Sequence, residues 1–250
     1  MNICLIGYGK MGKAIEQAAR ECGHVISSRI DNTVTDADHT AVTSESLRDC
    51  SVVIDFSSPL SIIERAETVV SAGIPLVIGT TGWDVQPVRD LTEKMNGTVI
   101  CDANFSVGMQ VFYLLLEHAA AMMNGLEQYD VAGVEMHHAA KKDIPSGTAV
   151  TLSKIITETI DRKTASVFHP GNRRIEPHEL HFASVRCGAL PGEHRVMFDS
   201  MSDTITLTHT AKDRSGFAFG AVMAAEEAQK TTGFTTFSRI IRGRIEGGAL

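Results

Sequence analysis

A chain of 250 residues, 43% hydrophobic and 21% charged, has the composition of an ordinary globular protein and the length for one large domain or two small ones. Its formal net charge of −7 excludes general nucleic-acid affinity, but not small anions, whose sites depend on local charge. No apolar run approaches the roughly 18–20 residues of a membrane helix. The opening Met1-Asn2-Ile3-Cys4-Leu5-Ile6-Gly7 has neither a basic leader nor a cleavage site, so a cytoplasmic protein with no membrane partner is expected.

In chain order, short apolar strands are predicted at Ile3–Ile6, Val25–Ile30, Val52–Phe56, Leu76–Gly79 and Thr98–Cys101. Helical patterns separate them: Met11–Cys22, a short one near Ser46–Asp49, Leu60–Ala72 and Val85–Met95. Strands alternating with helices of this length indicate βαβ units, and right-handed crossovers then give an α/β, doubly wound parallel sheet of Rossmann type. From about Val107 the pattern changes. A long apolar helix over Val107–Met123 is followed by a strand at Tyr129–Met136 and a helix at Gly147–Ile160. The polar stretch Asp161–His178 reads as an extended loop. Strands follow at Glu179–Arg186, His194–Asp199 and Thr204–Thr210. Strands in succession after a βαβ half predict a central α+β domain with a mixed sheet. The Ala-rich helix Phe217–Lys230 returns to the pattern of the first half and is expected to pack there.

Cys4, Cys22, Cys50, Cys101 and Cys187 are scattered and contain no CxxC pair. Neither disulfides nor a metal site is expected, and reduced, structural thiols are.

Gly7-Tyr8-Gly9-Lys10-Met11-Gly12 is GxGxxG, between a strand and a helix. Gly7 permits the turn, Gly9 lets backbone approach a pyrophosphate, and Gly12 lets helix and strand pack closely. Asp31 ends the second strand, where a carboxylate accepts hydrogen bonds from a ribose diol. It favours NADH over NADPH, although Arg29 nearby leaves both open. Gly79-Thr80-Thr81-Gly82 and Asn104-Phe105-Ser106 follow the fourth and fifth strands, at the ligand-binding end of such sheets. Their hydroxyls and amides are candidates for ordering a nicotinamide ring, with Phe105 lying against it.

The segment Glu135-Met136-His137-His138-Ala139-Ala140-Lys141-Lys142-Asp143-Ile144-Pro145-Ser146-Gly147-Thr148-Ala149 holds the most chemistry. Glu135 and His137 share one strand face. Two histidines, an acid and Lys141 just past a strand point to proton transfer or anion binding. Ser146 is an N-cap candidate, and the amides behind it form a site suited to a carboxylate. The pair His137-His138 lacks the spacing of helical zinc sites.

This segment, with its fixed Glu, His-His, Lys, Asp and Pro-Ser-Gly-Thr-Ala positions, resembles the signature of the dihydrodipicolinate reductase family. Gly-Lys-Met-Gly, Asp55-Phe56-Ser57, Gly79–Gly82, Asn104–Gly108, Ser184-Val185-Arg186 and Gly192-Glu193-His194 follow in the family's order. The resemblance implies a dinucleotide-binding Rossmann domain from residues 1–106 and 214–250, and a substrate-binding and oligomerisation domain over 107–213. It implies hydride transfer from NADH or NADPH to a small cyclic dicarboxylate in diaminopimelate and lysine biosynthesis, by a homotetramer. His137 is then the general acid and Lys141 its partner, while His138, Lys141, Ser146, Gly147 and Thr148 hold the carboxylates. The glycine loop is a residue shorter than in many members of the family. The alternative is a dinucleotide-sensing protein without catalysis, which has no reason to keep His137, Lys141 and the Ser146–Thr148 cradle together.

Overall fold

The computed structural model describes residues 1–247. The chain divides into two compact units, Met1–Val107 with the chain from Arg214 onward, and Gly108–Asp213. The first unit begins with β1 (Asn2–Ile6), α1 (Lys10–Glu21), β2 (Val25–Ile30), β3 (Val52–Asp55), α2 (Ile62–Ser71), β4 (Leu76–Ile78), α3 (Gln86–Lys94) and β5 (Thr98–Cys101). The second is built from α4 (Val107–Asn124), β6 (Asp130–His137), α5 (Gly147–Thr159), β7 (Ala165–Val167), β8 (Glu179–Arg186), β9 (Glu193–Asp199) and β10 (Thr204–Thr210). The first unit is then completed by α6 (Ser215–Ala228), β11 (Gly233–Thr236) and α7 (Phe237–Glu246).

The first unit's strands form one sheet in the order β11-β5-β4-β3-β1-β2, every neighbouring pair parallel. Alternation along β1 shows why both faces are covered. Ile3 and Leu5 pack on one side with Ile15 and Ala18 of α1 and Ala221 and Ala225 of α6. Cys4 and Ile6 pack on the other with Ile62, Ala66 and Val69 of α2 and Val88 of α3. This is a Rossmann-type doubly wound sheet. Its strand order reverses beside β1, which opens a crevice at the strands' carboxyl ends.

The second unit's sheet runs β10-β9-β6-β8-β7. It is mixed: β9 is antiparallel to both β10 and β6, whereas β6, β8 and β7 are parallel. Phe112 and Leu116 of α4 and Leu152 and Ile156 of α5 cover one face, packing on Val131, Phe182, Val196 and Phe198. Among the described residues no helix is long and apolar enough to cross a membrane.

Three local readings need correction. Residues 44–49 form turns, not a helix, because four residues fix more dihedrals than one helical hydrogen bond repays. The stretch read as a loop over 161–178 contains β7, which pairs with β8. The last parallel strand, β11, and α7 behind it have no counterpart in the predicted elements. The four residues of β11 are all half-buried, so no alternation reveals them.

Candidate functional site

In the first unit, Gly7, Tyr8 and Gly9 make the turn from β1 into α1. Gly7 has φ +89°, and a Cβ there would stand 2.5 Å from the Phe56 carbonyl oxygen. A Cβ on Gly12 would stand 2.1 Å from the Gly7 carbonyl oxygen. Both positions require glycine for reasons internal to the fold. Gly9 is different: its backbone is extended, at φ −77°, and a Cβ would meet nothing within 4 Å. A demand for glycine there comes from outside the chain, as when a ligand approaches the backbone closely. As N-cap of α1, Gly9 supplies no side-chain acceptor to the first-turn amides, the arrangement in which a helix start binds a phosphate.

Asp31 stands beside this loop. Its carboxylate accepts hydrogen bonds from the Tyr8 amide at 2.7 Å, and from the Thr33 amide at 2.8 Å and hydroxyl at 2.7 Å. Burial pushes its carboxyl up, but these bonds outweigh burial and hold it below the usual carboxylate range. Gly7, Gly9, Asp31, Thr33, Ser57 and Arg65 help to line a cavity of about 700 Å³. Arg29 is engaged elsewhere, binding Glu16 at 2.6 Å and Asp38 at 3.1 Å. Lys13 is likewise paired, with Asp36 at 2.8 Å.

Other residues expected around a dinucleotide serve the fold through their side chains. Tyr8 is buried, and its hydroxyl donates to Glu16. Thr80 ties β3 to β4, its hydroxyl accepting from the Ser57 amide at 3.0 Å and donating to the Asp55 carboxylate at 3.2 Å. Phe105 is only 1% exposed. It stacks on Phe237 at 5.0 Å and meets Phe56 edge-on at 5.4 Å, so its ring is core and not a surface for nicotinamide. Asn104 accepts from the Ser106 amide at 2.9 Å. Lys10 and Thr81 are exposed, and Met11 is half-buried.

In the second unit, β6 is central and its last turn of sequence carries the chemistry. Glu135 is 0% exposed and lies opposite Ser184 of β8 and His194 of β9. Arg186 grips it with two hydrogen bonds of 2.8 Å, and the Ser146 amide donates at 3.2 Å. His137 Nδ1 shares the remaining approach to the carboxylate. Burial drives Glu135 upward, yet these bonds, led by Arg186, hold it at about 2. His137 is pushed below its ordinary value by burial first, then by the charges of Lys141 and Arg186, with Glu135 opposing.

Ser146 caps α5, its hydroxyl accepting from the Ala149 amide at 3.1 Å, as predicted. The same oxygen meets His194 Nε2 at 3.2 Å. Burial and the neighbouring His137 lower His194 to about 3. Lys141 Nζ contacts the Asp143 carboxylate at 2.9 Å. One donor expected to hold a carboxylate thus holds one of the chain's own. His138 and Thr148 are half-buried and Gly147 is exposed at the helix start. Among the described residues, no group of three or more His, Cys, Asp or Glu side chains is placed to hold a metal ion.

The sequence alone assigns no role to Arg186, His194 or Asp143, and places Glu135 only as an acid on the strand face of His137. Arg186 is 51 positions from Glu135, and only the parallel register of β6 and β8, with His137 beside Arg186, joins them. The signals are that Glu135 and Asp143 stand at fixed positions of the family-like segment, and that Arg186 and His194 fall in short family-like pieces.

Comparison with known proteins matches both parts of the chain to one family. Residues 1–105 match the family "Dihydrodipicolinate reductase, N-terminus", and residues 108–241 match "Dihydrodipicolinate reductase, C-terminus". A 4-hydroxy-tetrahydrodipicolinate reductase of Christiangramia forsetii is 37% identical over 243 residues, covering 96% of this chain and 98% of its own. One of Staphylococcus carnosus is 36% identical, covering 96% and 99%. Among solved structures, a dipicolinate-bound dihydrodipicolinate reductase from Paenisporosarcina sp. TG-14 superposes with a TM-score of 0.76 at 22% identity, over 94% of this chain and 97% of that one. The glycine loop on one unit and the Glu135–Ala149 segment on the other are therefore parts of one inherited design, and the chain belongs to the dihydrodipicolinate reductase family of oxidoreductases.

Proposed function

We propose that this chain reduces 4-hydroxy-tetrahydrodipicolinate to tetrahydrodipicolinate in the diaminopimelate route to lysine, in the cytoplasm, with NADH as preferred reductant. The observation that carries the reading is the joint presence, in a member of this reductase family, of a proton-bearing pair and an anion cradle on one short segment. The family's reductant is a nicotinamide dinucleotide, which supplies a hydride when bound. In balance, the 4-hydroxyl leaves as water with a hydrogen from the neighbouring ring carbon, and a hydride and a proton enter the resulting conjugated ring.

Gly7, Gly9, Gly12 and the first-turn amides of Lys10 and Met11 fit the pyrophosphate, and Asp31 fits the adenine ribose. Thr80, Thr81, Asn104, Phe105 and Ser106 contribute through the turns they build, Phe105 by anchoring its loop in the core. NADH is preferred because Asp31 is held ionised, and because Arg29 and Lys13 are already paired with acids, leaving a 2′-phosphate without their charge.

His137 is assigned as the proton donor, and Lys141 as the cation that steadies or renews that proton. His138, Lys141, Ser146, Gly147 and Thr148 hold the two carboxylates. The substrate displaces Asp143 from Lys141, because a dicarboxylate brings two charges where Asp143 brings one. Negative charge left in the ring by hydride addition is then stabilised by fixed donors that need no reorganisation. A homotetramer is proposed as the working assembly, and light scattering at four times the 27.0 kDa chain mass tests it.

Kinetics of Ser146→Ala and Thr148→Val test the cradle. Both raise KM for the dicarboxylate with little effect on NADH affinity, and unchanged KM values remove these residues from substrate binding. Titration with NADH and NADPH tests the cofactor: wild type binds NADH more tightly, and Asp31→Ala narrows the gap. An equal gap in the variant assigns selectivity elsewhere.

A further inference from the structure

A carboxylate fully removed from water is costly unless every lone pair is met and a counter-charge is close. Glu135 satisfies both conditions, with Arg186 at 2.8 Å on each oxygen, the Ser146 amide at 3.2 Å, and His137 Nδ1. The pairing comes from three elements: β6 supplies Glu135 and His137, β8 supplies Arg186, and the start of α5 supplies the amide. Nothing in proton donation by His137 alone calls for so complete an enclosure of its neighbour.

The other side of the imidazole is shaped as well. Gly192 has φ +132°, and a Cβ there would stand 3.0 Å from His137 Nε2 and 3.1 Å from Cδ2. The absence of a side chain at this position keeps Nε2 clear. Nε2 has no hydrogen-bond partner among the described residues, whereas Nδ1 is committed to Glu135. The His194 ring stands edge-on, with centroids 5.1 Å apart and planes at 72°, which restrains rotation of the His137 ring.

We propose that Glu135, clamped by Arg186, is a positioning residue for the reaction. It holds the His137 ring with Nδ1–H directed at its own carboxylate, so that Nε2 is the atom that carries the reactive proton. A carboxylate that fixes which ring nitrogen bears the proton, and steadies the imidazolium, is a general way of orienting a working histidine. The charged and titratable groups facing His137 are Glu135 on its own strand, Lys141 on the following loop, Arg186 on β8 and His194 on β9. Of these, Glu135 alone favours the cationic ring. The role in turnover rests on the reductase reading, whereas the choice of ring nitrogen does not.

Two measurements separate these. Nitrogen NMR of histidine-labelled protein reads the neutral tautomer directly. Wild-type His137 shows the proton on Nδ1, and a proton on Nε2, or an even mixture, overturns the proposal whether or not the protein turns over. The second is the pH profile of kcat/KM for Glu135→Gln. Loss of the carboxylate lowers the pH at which His137 gives up its proton. The limb where activity falls with rising pH therefore moves to lower pH by about one to three units.

Glu135→Gln leaves Arg186 buried without a counter-charge and stands to unfold the unit. Two variants cover that case. Glu135→Asp keeps the charge and draws the carboxylate back from Nδ1. Glu135→Gln with Arg186→Met removes both charges together. Either one, folded by circular dichroism and binding NADH as wild type does, is expected to lose at least tenfold in kcat. Wild-type kcat and an unmoved pH profile in a folded variant reduce Glu135 to a structural ion pair. If wild type itself shows no turnover, the reductase reading fails while the NMR result still decides the position of the proton.

Discussion

Replacing Gly9 by alanine separates ligand binding from folding in the glycine loop. The added Cβ meets no protein atom within 4 Å and the backbone there is extended. Folding therefore loses no contact, and restricting the unfolded chain favours the variant by about 0.4–1 kcal/mol. A bound pyrophosphate is affected directly, because the methyl group occupies the approach to the first-turn amides of α1. Losing one hydrogen bond to a charged group costs about 1.5–3 kcal/mol, or roughly a 10- to 150-fold rise in the NADH dissociation constant. Gly12→Ala supplies the contrast. Its Cβ would stand 2.1 Å from the Gly7 carbonyl oxygen, so loop and helix must part. Overpacking of this kind costs about 1–3 kcal/mol of stability, which lowers Tm by roughly 2–12 °C at this chain length. Calorimetric titration with NADH and thermal scans of both variants give the result. Gly9→Ala binding NADH like wild type, or losing as much Tm as Gly12→Ala, refutes the argument that the demand at Gly9 comes from a ligand.

Acid should unfold the second unit in two stages. His194 has an ordinary value of 6.5 and is held at about 3 in the fold. The unfolded chain therefore takes up its proton first, and stability present above pH 6.5 is lost as pH falls toward 3. Glu135, at about 2 against an ordinary 4.5, adds a loss in the same direction below pH 4.5. Denaturation midpoints against pH follow both, and His194→Asn flattens the part between 6.5 and 4.5. A wild-type midpoint constant down to pH 4.5 contradicts a neutral buried His194. Asp143→Asn removes the internal partner of Lys141. A part-exposed ion pair is worth about 0.2–1 kcal/mol, so dipicolinate affinity by calorimetry rises about 1.5- to 5-fold. Weaker binding instead assigns Asp143 to holding Lys141 in place for the ligand.

The parallel sheet was legible because burial on both faces turns residues 3–6, 52–54 and 76–78 of β1, β3 and β4 into unbroken apolar runs, with recognisable helices between them. Ser146 was legible for a short-range reason, since a cap needs only its own hydroxyl and the amide three residues on. β7 and β11 were not, because strands this short owe their existence to the neighbours they extend. Arg186 and His194 escaped for a related reason: each reaches the site through strand register, which no local pattern encodes. Phe105 misled in the other direction. An aromatic residue beside Asn104 and Ser106 at a strand end reads as ligand-facing, but α6 approaches so closely that a Cβ on Gly220 would stand 1.7 Å from the Phe105 carbonyl oxygen. The ring turns into the core that Ala218 and Ala221 leave open for it.

The most direct measurement follows NADH oxidation by the purified protein while the preceding synthase makes the substrate in place from pyruvate and aspartate semialdehyde. Turnover is expected to require every component. His137→Ala should lower kcat by about a hundredfold or more, as for a lost general acid, with the NADH dissociation constant unchanged. Tight NADH binding without turnover by wild type, or wild-type turnover by His137→Ala, contradicts the account.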